Sequence, residues 1–296
     1  MKIKILTYNV WGIPMPITKI PQKRCQEILR HLKDFDIVTF QEAFSKRVHD
    51  TIEQADFSYK FVGQYGRLIP FFQRLGNGLA ILSRYPIVET AWIKFSNFWV
   101  TDFDIFANKG VLFSRIQIDK NTQIDVYTTH LQATNRNYYS DFIRHRQLKT
   151  LKEFIISHSQ GNPIIVTGDF NIPDNSPMYP AITYLLQAKD SWAESKSANL
   201  ENPEKATCHD ENGFTSCNEN TWNSTDPHER NQRIDYIFYK NGRSSSLEVV
   251  DSEVVFKNEL LDGENLSDHF ALSSTFKLIN NPPINMPSLD TGSSSR

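Results

Sequence analysis

At 296 residues the chain has room for one large α/β domain or two smaller ones, and it is too long for a small disulfide-stapled module. Hydrophobic residues at 39% and charged residues at 22% are globular proportions and exclude general disorder. A formal net charge of -2, from 32 basic and 34 acidic residues, excludes a chain-wide basic field of the kind that holds nucleic acid.

Met1 leads straight into Lys2-Ile3-Lys4-Ile5-Leu6, without an apolar h-region or a small-residue cleavage site. No apolar run approaches the roughly 18–20 residues of a membrane span. The expectation is a soluble chain without a signal peptide in this sequence, cytoplasmic by default, with exported or membrane-peripheral action. Residues 2–9 alternate apolar and polar as a strand does, and residues 23–33 set Ile28, Leu29 and Leu32 at helical spacing, with Cys25 packed among them. Ile37 to Phe40 is a short buried-type strand ending at Gln41-Glu42. Gly78 to Leu82 reads as a strand stopped by Arg84-Tyr85-Pro86. Val111 to Ile118 and Ile124 to Thr129 form a strand pair about a turn at Asp119 to Thr122. Residues 141–157 place Phe142, Leu148, Leu151, Phe154 and Ile155 on one helical face. Ile164 to Thr167 is a buried-type strand running into Gly168-Asp169.

Ser195 to Arg230 is a long polar excursion, expected to lie near one face of the domain. Within it Cys208 and Cys217 read as two free loop thiols, with a local disulfide as the alternative. Zinc is disfavoured, because there is no second cysteine pair and only one nearby histidine. Ile234 to Tyr239, Leu247 to Phe256 and Ala271 to Leu278 supply late strands. The chain then turns Pro-, Ser- and Gly-rich. The organisation expected is one domain over 1–280 and a disordered tail over 281–296.

Polar, chemically capable side chains recur where apolar strands end. Asn9 follows the first strand and Glu42 the second. His130 follows Val126-Tyr127-Thr128-Thr129, and Asp169 and Asn171 follow Ile164 to Thr167. Asp235 sits inside Arg233-Ile234-Asp235-Tyr236, and Asp268-His269 precedes the last strand. Sites of α/β proteins gather at strand ends. Taken singly, each has a plain structural explanation: a turn, a helix cap, a satisfied core histidine, an Asx-turn. Together they make an oxygen-rich ligand set without cysteine, which suits a hard cation such as Mg²⁺.

Tyr8-Asn9-Val10-Trp11, Gln41-Glu42, Thr129-His130-Leu131, Gly168-Asp169-Phe170-Asn171, Arg233-Ile234-Asp235-Tyr236 and Ser267-Asp268-His269 resemble the successive signatures of the endonuclease/exonuclease/phosphatase superfamily, over residues 3–278. The resemblance implies an α/β fold of four layers, two packed mixed β-sheets flanked by helices (DNase I-like), and Mg²⁺-dependent phosphoester cleavage, with Mn²⁺ or Co²⁺ as substitutes. Glu42 is then the charged metal ligand, Asn9 its neutral oxygen partner and Asp268 a support of the metal or its surroundings. His269 is the general base, near its useful pKa range. By resemblance Asp235 fixes the His269 tautomer. Asp169 orients the attacking water, Asn171 donates to a phosphate oxygen, and His130 stabilises the pentacoordinate state.

The superfamily's fold does not specify a substrate. The block Gly78 to Ile87, Phe95 to Trp99 and Asp104 to Phe113 resembles neutral and bacterial sphingomyelinases. Asn108-Lys109-Gly110, with Asp104 five residues before Lys109, is similar to the Asp/Lys pair that switches activity there, and Lys109 would bring positive charge to the scissile phosphate. Phe98-Trp99, in an aromatic stretch from Trp92 to Phe106, is expected to be an exposed membrane contact, with about half of that stretch in the core. The expected partners are sphingomyelin or a related choline phospholipid and a membrane surface touched peripherally. Nucleic acid is disfavoured and a monomer favoured. The runner-up is a Mg²⁺-dependent nuclease of the same superfamily, which would need a basic groove. An inositol polyphosphate phosphatase comes third.

Overall fold

A computed structural model describes residues 1–14, 16–64, 68–69, 72–73, 76–96, 107–133, 138–195, 212–223 and 231–281. In chain order the first half contains β1 (Lys2–Asn9), α1 (Pro21–Arg30), β2 (Ile37–Gln41), α2 (Lys46–Glu53), β3 (Tyr59–Val62), β4 (Leu68–Ile69), β5 (Phe72–Gln73), β6 (Ala80–Ser83), β7 (Ile87–Lys94) and β8 (Gly110–Gln117). Then come β9 (Gln123–His130), α3 (Tyr138–His158), β10 (Ile164–Asp169), α4 (Tyr179–Leu186), β11 (Lys189–Asp190), α5 (Ser191–Ser195), β12 (Asp235–Lys240), β13 (Ser245–Val255), β14 (Leu260–Leu261), β15 (Glu264–Asn265) and β16 (Ala271–Asn280).

Two mixed six-stranded sheets result, in the orders β13-β16-β1-β2-β6-β3 and β11-β12-β10-β9-β8-β7. Side-chain parity assembles them into layers, because alternate residues of a strand face opposite sides. On β1, Ile3 and Ile5 join Ile37, Ile81, Leu112, Val126, Ile165 and Ile237 in the core between the sheets. The opposite parity, Leu6, Tyr8 and Val10, packs with Cys25, Ile28, Val48 and Ile52 of α1 and α2. On the other sheet Tyr127, Val166 and Phe238 face outward onto Leu148 and Leu151 of α3 and Ile182 of α4. The outcome is helix, sheet, sheet, helix, the four layers expected.

Along the inner face the files change character in step toward one end. β1 reads Ile3, Ile5, Thr7, Asn9; β2 reads Ile37, Thr39, Gln41; β9 reads Ile124, Val126, Thr128, His130; β10 reads Ile165, Thr167, Asp169. The apolar stratum holds the sheets together, and above it lies a buried stratum of threonine and glutamine. There Thr167 Oγ1 lies 2.8 Å from Thr39 Oγ1, and Gln41 Nε2 donates to Thr128 Oγ1 at 3.0 Å and to Thr7 Oγ1 at 3.1 Å. Satisfied buried networks of this kind specify a geometry as well as contributing stability. Gly168 is required where β10 meets β9. Its φ is 140°, and a Cβ there would lie 2.0 Å from the Thr129 carbonyl oxygen.

Several expectations change. Phe142 does not share the buried face of α3; it is exposed, with Arg146 over its ring, and Leu148 and Leu151 carry the packing. Cys217 is disulfide-bonded, which overturns the free-thiol expectation at that position, while Cys208 lies outside the described residues. Cys25 is free and buried, as its apolar surroundings require. Of the aromatic stretch, Phe95 is buried and Trp92 packs at the edge of the inter-sheet core. Phe98, Trp99 and Asp104 lie outside the described residues, as does the chain after 281. No helix among the described residues is long and apolar enough to cross a membrane.

Candidate active site

Strand register brings the site together. His130, Asp169 and Asp235 are register partners on the adjacent strands β9, β10 and β12, so they form a row across one sheet. Asn9 pairs in register with Gln41 on the facing sheet, and Glu42 is the next residue. The inner-face parity of all these strands aims the row and Asn9 at one another. Left-handed backbone at Glu42 (φ 57°), Asn171 (φ 52°) and Trp11 (φ 45°) turns the chain sharply just beyond the strands. Non-glycine residues in this region carry strain, which clusters at functional sites.

The carboxylates crowd. Asn9 Nδ2 donates to Glu42 Oε1 at 3.1 Å and to Asp169 Oδ2 at 3.0 Å, bridging the sheets. His130 Nε2 lies 3.5 Å from Asp169 Oδ2 and 3.9 Å from Glu42 Oε1. His269 Nδ1 lies 2.8 Å from Asp235 Oδ2, and its Nε2 is 3.9 Å from Asp169 Oδ2. The Nδ1 proton therefore belongs to the bond with Asp235, which leaves Nε2 as the working nitrogen. Asp169 Oδ1 accepts from the Asn171 backbone N–H at 2.9 Å. Lys109, buried immediately before β8, sits with Nζ 3.0 Å from His130 Nε2 and donates to the Leu131 carbonyl at 3.0 Å.

Burial pushes Glu42 from its ordinary 4.5 up to about 7, with the Asp268 charge adding to the effect. Burial and then the Asp235 charge raise Asp169 to about 6. His130 is held well below 6.5 by burial and by the Lys109 ammonium, so it is neutral. For His269, burial pulls down, but Asp235, Asp169 and Asp268 together outweigh it and hold the imidazole well above 6.5.

The donor set fits a hard divalent cation. Glu42, His130 and Asp169 present ligand atoms within 4.8 Å of one another, and so do Asp169, Asp235 and His269. Glu42 Oε2 and Asp235 Oδ1 are buried without a hydrogen-bond partner, and such oxygens are costly unless something positive meets them. Asp268 contributes field rather than a visible contact to the cluster; its Oδ1 accepts from the Ser267 hydroxyl at 3.2 Å. Asn9 departs from the expectation that it offers oxygen. Its Oδ1 accepts from Trp11 N–H at 3.0 Å while its Nδ2 faces the carboxylates, so a half-turn of the amide separates this arrangement from metal ligation.

A pH dependence follows. With a chelator present, the native protein keeps protons on Glu42 and Asp169 that the unfolded chain has already released. This holds from the ordinary carboxylate range up to about 7. Unfolding then takes place with fewer protons bound, so stability falls as pH rises through that window. Urea midpoints across it should show the fall, and Glu42→Gln, which cannot ionise, should flatten it. An unchanged slope in that variant would locate the titration elsewhere.

The other anticipated positions are less central. Asn171 Nδ2 donates to the Leu131 carbonyl at 3.4 Å, and Asn108 Oδ1 accepts from Lys94 Nζ at 2.6 Å. Two arginines are additional structural features that sequence reasoning did not single out. Arg24, buried in α1, donates to the carbonyls of Val10, Trp11 and Leu266, tying the β1 exit to the segment before Asp268. Arg233, buried just before Asp235, pairs with Asp190 at 2.6 Å and Asp174 at 3.2 Å. Helical spacing conceals the first. The second lies within Arg233-Ile234-Asp235-Tyr236, where nothing local marks its acidic partners Asp174 and Asp190.

Comparison with known proteins gives the same placement. The model of the Endonuclease/Exonuclease/phosphatase family matches residues 6–269. A Drosophila melanogaster protein, provisionally named a neutral sphingomyelinase, is 27% identical across 96% of this chain, which spans only 62% of that protein. The inositol phosphosphingolipids phospholipase C of Schizosaccharomyces pombe is 28% identical across 94% of the chain and 69% of its own length. Among solved structures, sphingomyelinase C from Streptomyces griseocarneus superposes with a TM-score of 0.68 at 19% identity, covering 93% of this chain and 99% of that one. Beta toxin from Staphylococcus aureus with bound magnesium ions gives 0.67 at 20%, over 93% and 99%.

Proposed function

The chain belongs to the endonuclease/exonuclease/phosphatase family, and from that premise we propose that it is a metal-dependent phosphodiesterase of the phospholipase C type that hydrolyses sphingomyelin to ceramide and phosphocholine. The observation that carries the reaction class is the buried meeting of Glu42, Asp169 and His130 with the His269–Asp235 pair at one end of the sandwich. The substrate class is supported by relatives whose names share a sphingolipid phosphodiester and differ in headgroup.

Glu42 and Asp169 would hold Mg²⁺, with Asp268 adding negative field. When bound, the ion supplies positive charge to the phosphodiester oxygens and offsets the carboxylate field that keeps His269 protonated. His269 Nε2, freed of its proton, accepts one from water as the water oxygen attacks phosphorus. The bond to the ceramide oxygen breaks, that oxygen takes a proton from bulk water and leaves as ceramide, and the His269 imidazolium returns its proton to solvent. Asp235 keeps the imidazole in the tautomer that leaves Nε2 open. Asp169, within 3.9 Å of Nε2, orients the water. His130, with Nε2 3.0 Å from Lys109 Nζ and 3.5 Å from Asp169 Oδ2, would stabilise the pentacoordinate state by donating to a phosphoryl oxygen. Lys109 contributes charge beside it. In this reading Phe98 and Trp99 contact the bilayer and the domain over residues 1–280 acts as a monomer at the membrane surface.

The test is release of water-soluble phosphocholine from sphingomyelin liposomes with Mg²⁺. EDTA should abolish it and excess Mg²⁺ restore it; full turnover in chelator would remove the metal from the reaction. Parallel vesicles of an inositol phosphosphingolipid read the headgroup choice. Cleavage of single-stranded DNA with no lipid hydrolysis would replace this reading with the nuclease one.

A further inference from the structure

We propose that Thr215 is a positioning residue for the His269–Asp235 pair, acting through a strap, residues 213–217, that ties the two sheets together behind it. The proposal rests on the hydrolytic reading above, which gives the pair its task.

Asp235 opens β12 in one sheet, and His269 lies two residues before β16 in the other. Their 2.8 Å hydrogen bond therefore crosses the sandwich, and its length depends on how far apart the sheets are held at that end. The strap is bonded to both sides. Toward Asp235, Thr215 N and Ser216 N each donate to the Gln232 carbonyl at 3.0 Å, and Gln232 N donates to the Ser216 carbonyl at 2.8 Å. Toward His269, Phe270 N donates to the Thr215 carbonyl at 2.7 Å, and Ser216 forms an antiparallel bridge with His269 itself.

Thr215 adds a side-chain bond to this backbone clamp. Its Oγ1 accepts from Ile234 N and from Asp235 N, both at 3.3 Å, and the residue is fully buried. Asp235 is thus fixed by its own main chain as well as by β10. The strap's ends are fixed too. Gly213 has φ 75° and lies so close to Trp192 that a Cβ would approach its ring to 2.6 Å. Cys217 is disulfide-bonded and packs with Phe270.

Without the hydroxyl, two buried N–H groups lose an acceptor, and the start of β12 must shift to find another. A displacement of about 1 Å in a catalytic group can cost roughly 10²-fold in rate. The test uses the full chain with Mg²⁺ and a soluble phosphocholine ester, comparing wild type, Thr215→Val and Thr215→Ser. Measured are kcat, KM, the thermal midpoint, and the low-field proton resonance of His269 Nδ1–H. Thr215→Val should lower kcat by about 10–100-fold at unchanged KM and shift or broaden the resonance. Thr215→Ser keeps the hydroxyl and should retain both.

A Val variant with wild-type kcat and an unmoved resonance overturns the proposal. So does equal loss in Val and Ser variants that tracks the thermal midpoint, which is the signature of packing alone. Should Thr215→Val not fold, Thr215→Ser decides: retention of kcat and resonance supports the role, and loss of either overturns it. If wild type releases no phosphocholine, the hydrolytic reading fails, while the resonance across the folded variants still tests the strap.

Discussion

Replacing His269 with alanine should lower kcat by roughly 10²–10⁴-fold, the usual contribution of a positioned general base. The dyad geometry explains why the loss falls on kcat. Asp235 holds Nδ1 at 2.8 Å, and Nε2 stands 3.9 Å from Asp169, so in the proposed reaction the imidazole would border the water it deprotonates. In the proposed reaction substrate binding would use other groups, and KM should change little. Asp235→Asn should lose activity through the same step, because an amide can accept from Nδ1–H or donate to Nδ1 and no longer fixes one tautomer. The two losses should not add, since residues acting as a unit are strongly non-additive. The double variant is expected to match His269→Ala alone. Initial rates at saturating Mg²⁺ for the single and double variants complete the cycle. A His269→Ala enzyme within a few-fold of wild type would end the base assignment. Additive losses would separate Asp235 from it.

The legible part of this molecule is the part that follows strand parity. Ile3, Ile5 and Asn9 share one face of one strand, as do Ile124, Val126 and His130, and both are readable from alternation alone. Whatever sits at the polar end of an inward apolar file must point at the facing sheet, which is why the residues at strand ends converge. The threonine stratum between was equally visible as letters, but its hydrogen bonds join β2 to β9 and β10, and no local pattern predicts those partners. Arg24 shows the limit more sharply. It occupies an ordinary position in an amphipathic helix, and one of its acceptors is the carbonyl of Leu266, 242 residues away. The excursion from Ser195 was expected near one face of the domain, and its described part, 212–223, supplies the strap beside Asp235 and His269. The short elements were missed for want of signal. Helix α2 buries only Val48, Thr51 and Ile52, too few positions to establish a period, although Ser45 accepts from Val48 N–H as a helix cap does. Phe142 failed in the other direction, because helical spacing names a stripe and not its width.

Glu42→Gln should separate ion binding from base catalysis, and its expected effect is the second largest. The substitution keeps length and shape at a position whose backbone is left-handed, with φ 57°, and removes only charge. Glu42 Oε1 accepts from Asn9 Nδ2 at 3.1 Å, while Oε2 is buried without a partner, so that second oxygen is the atom a cation would meet. A unit charge about 4 Å from another is worth about 4 kcal/mol at an effective dielectric of 20. Part of this is offset, because burial and the Asp268 charge keep Glu42 partly protonated near neutral pH, so ion binding must first ionise it. If even about 1.4 kcal/mol of it remains, the Mg²⁺ needed for half-saturation rises tenfold. The variant should therefore titrate with Mg²⁺ at least about tenfold more weakly by calorimetry, independently of any turnover. At saturating ion its kcat should recover well beyond that of His269→Ala, since His269, Asp235 and Asp169 are untouched. The chelated variant should also lose less stability between about pH 5 and 7, because the Glu42 proton is gone and only the Asp169 share remains. An unchanged Mg²⁺ titration would remove Glu42 from the ligand set and shift the ion toward the neighbouring grouping of Asp169, Asp235 and His269.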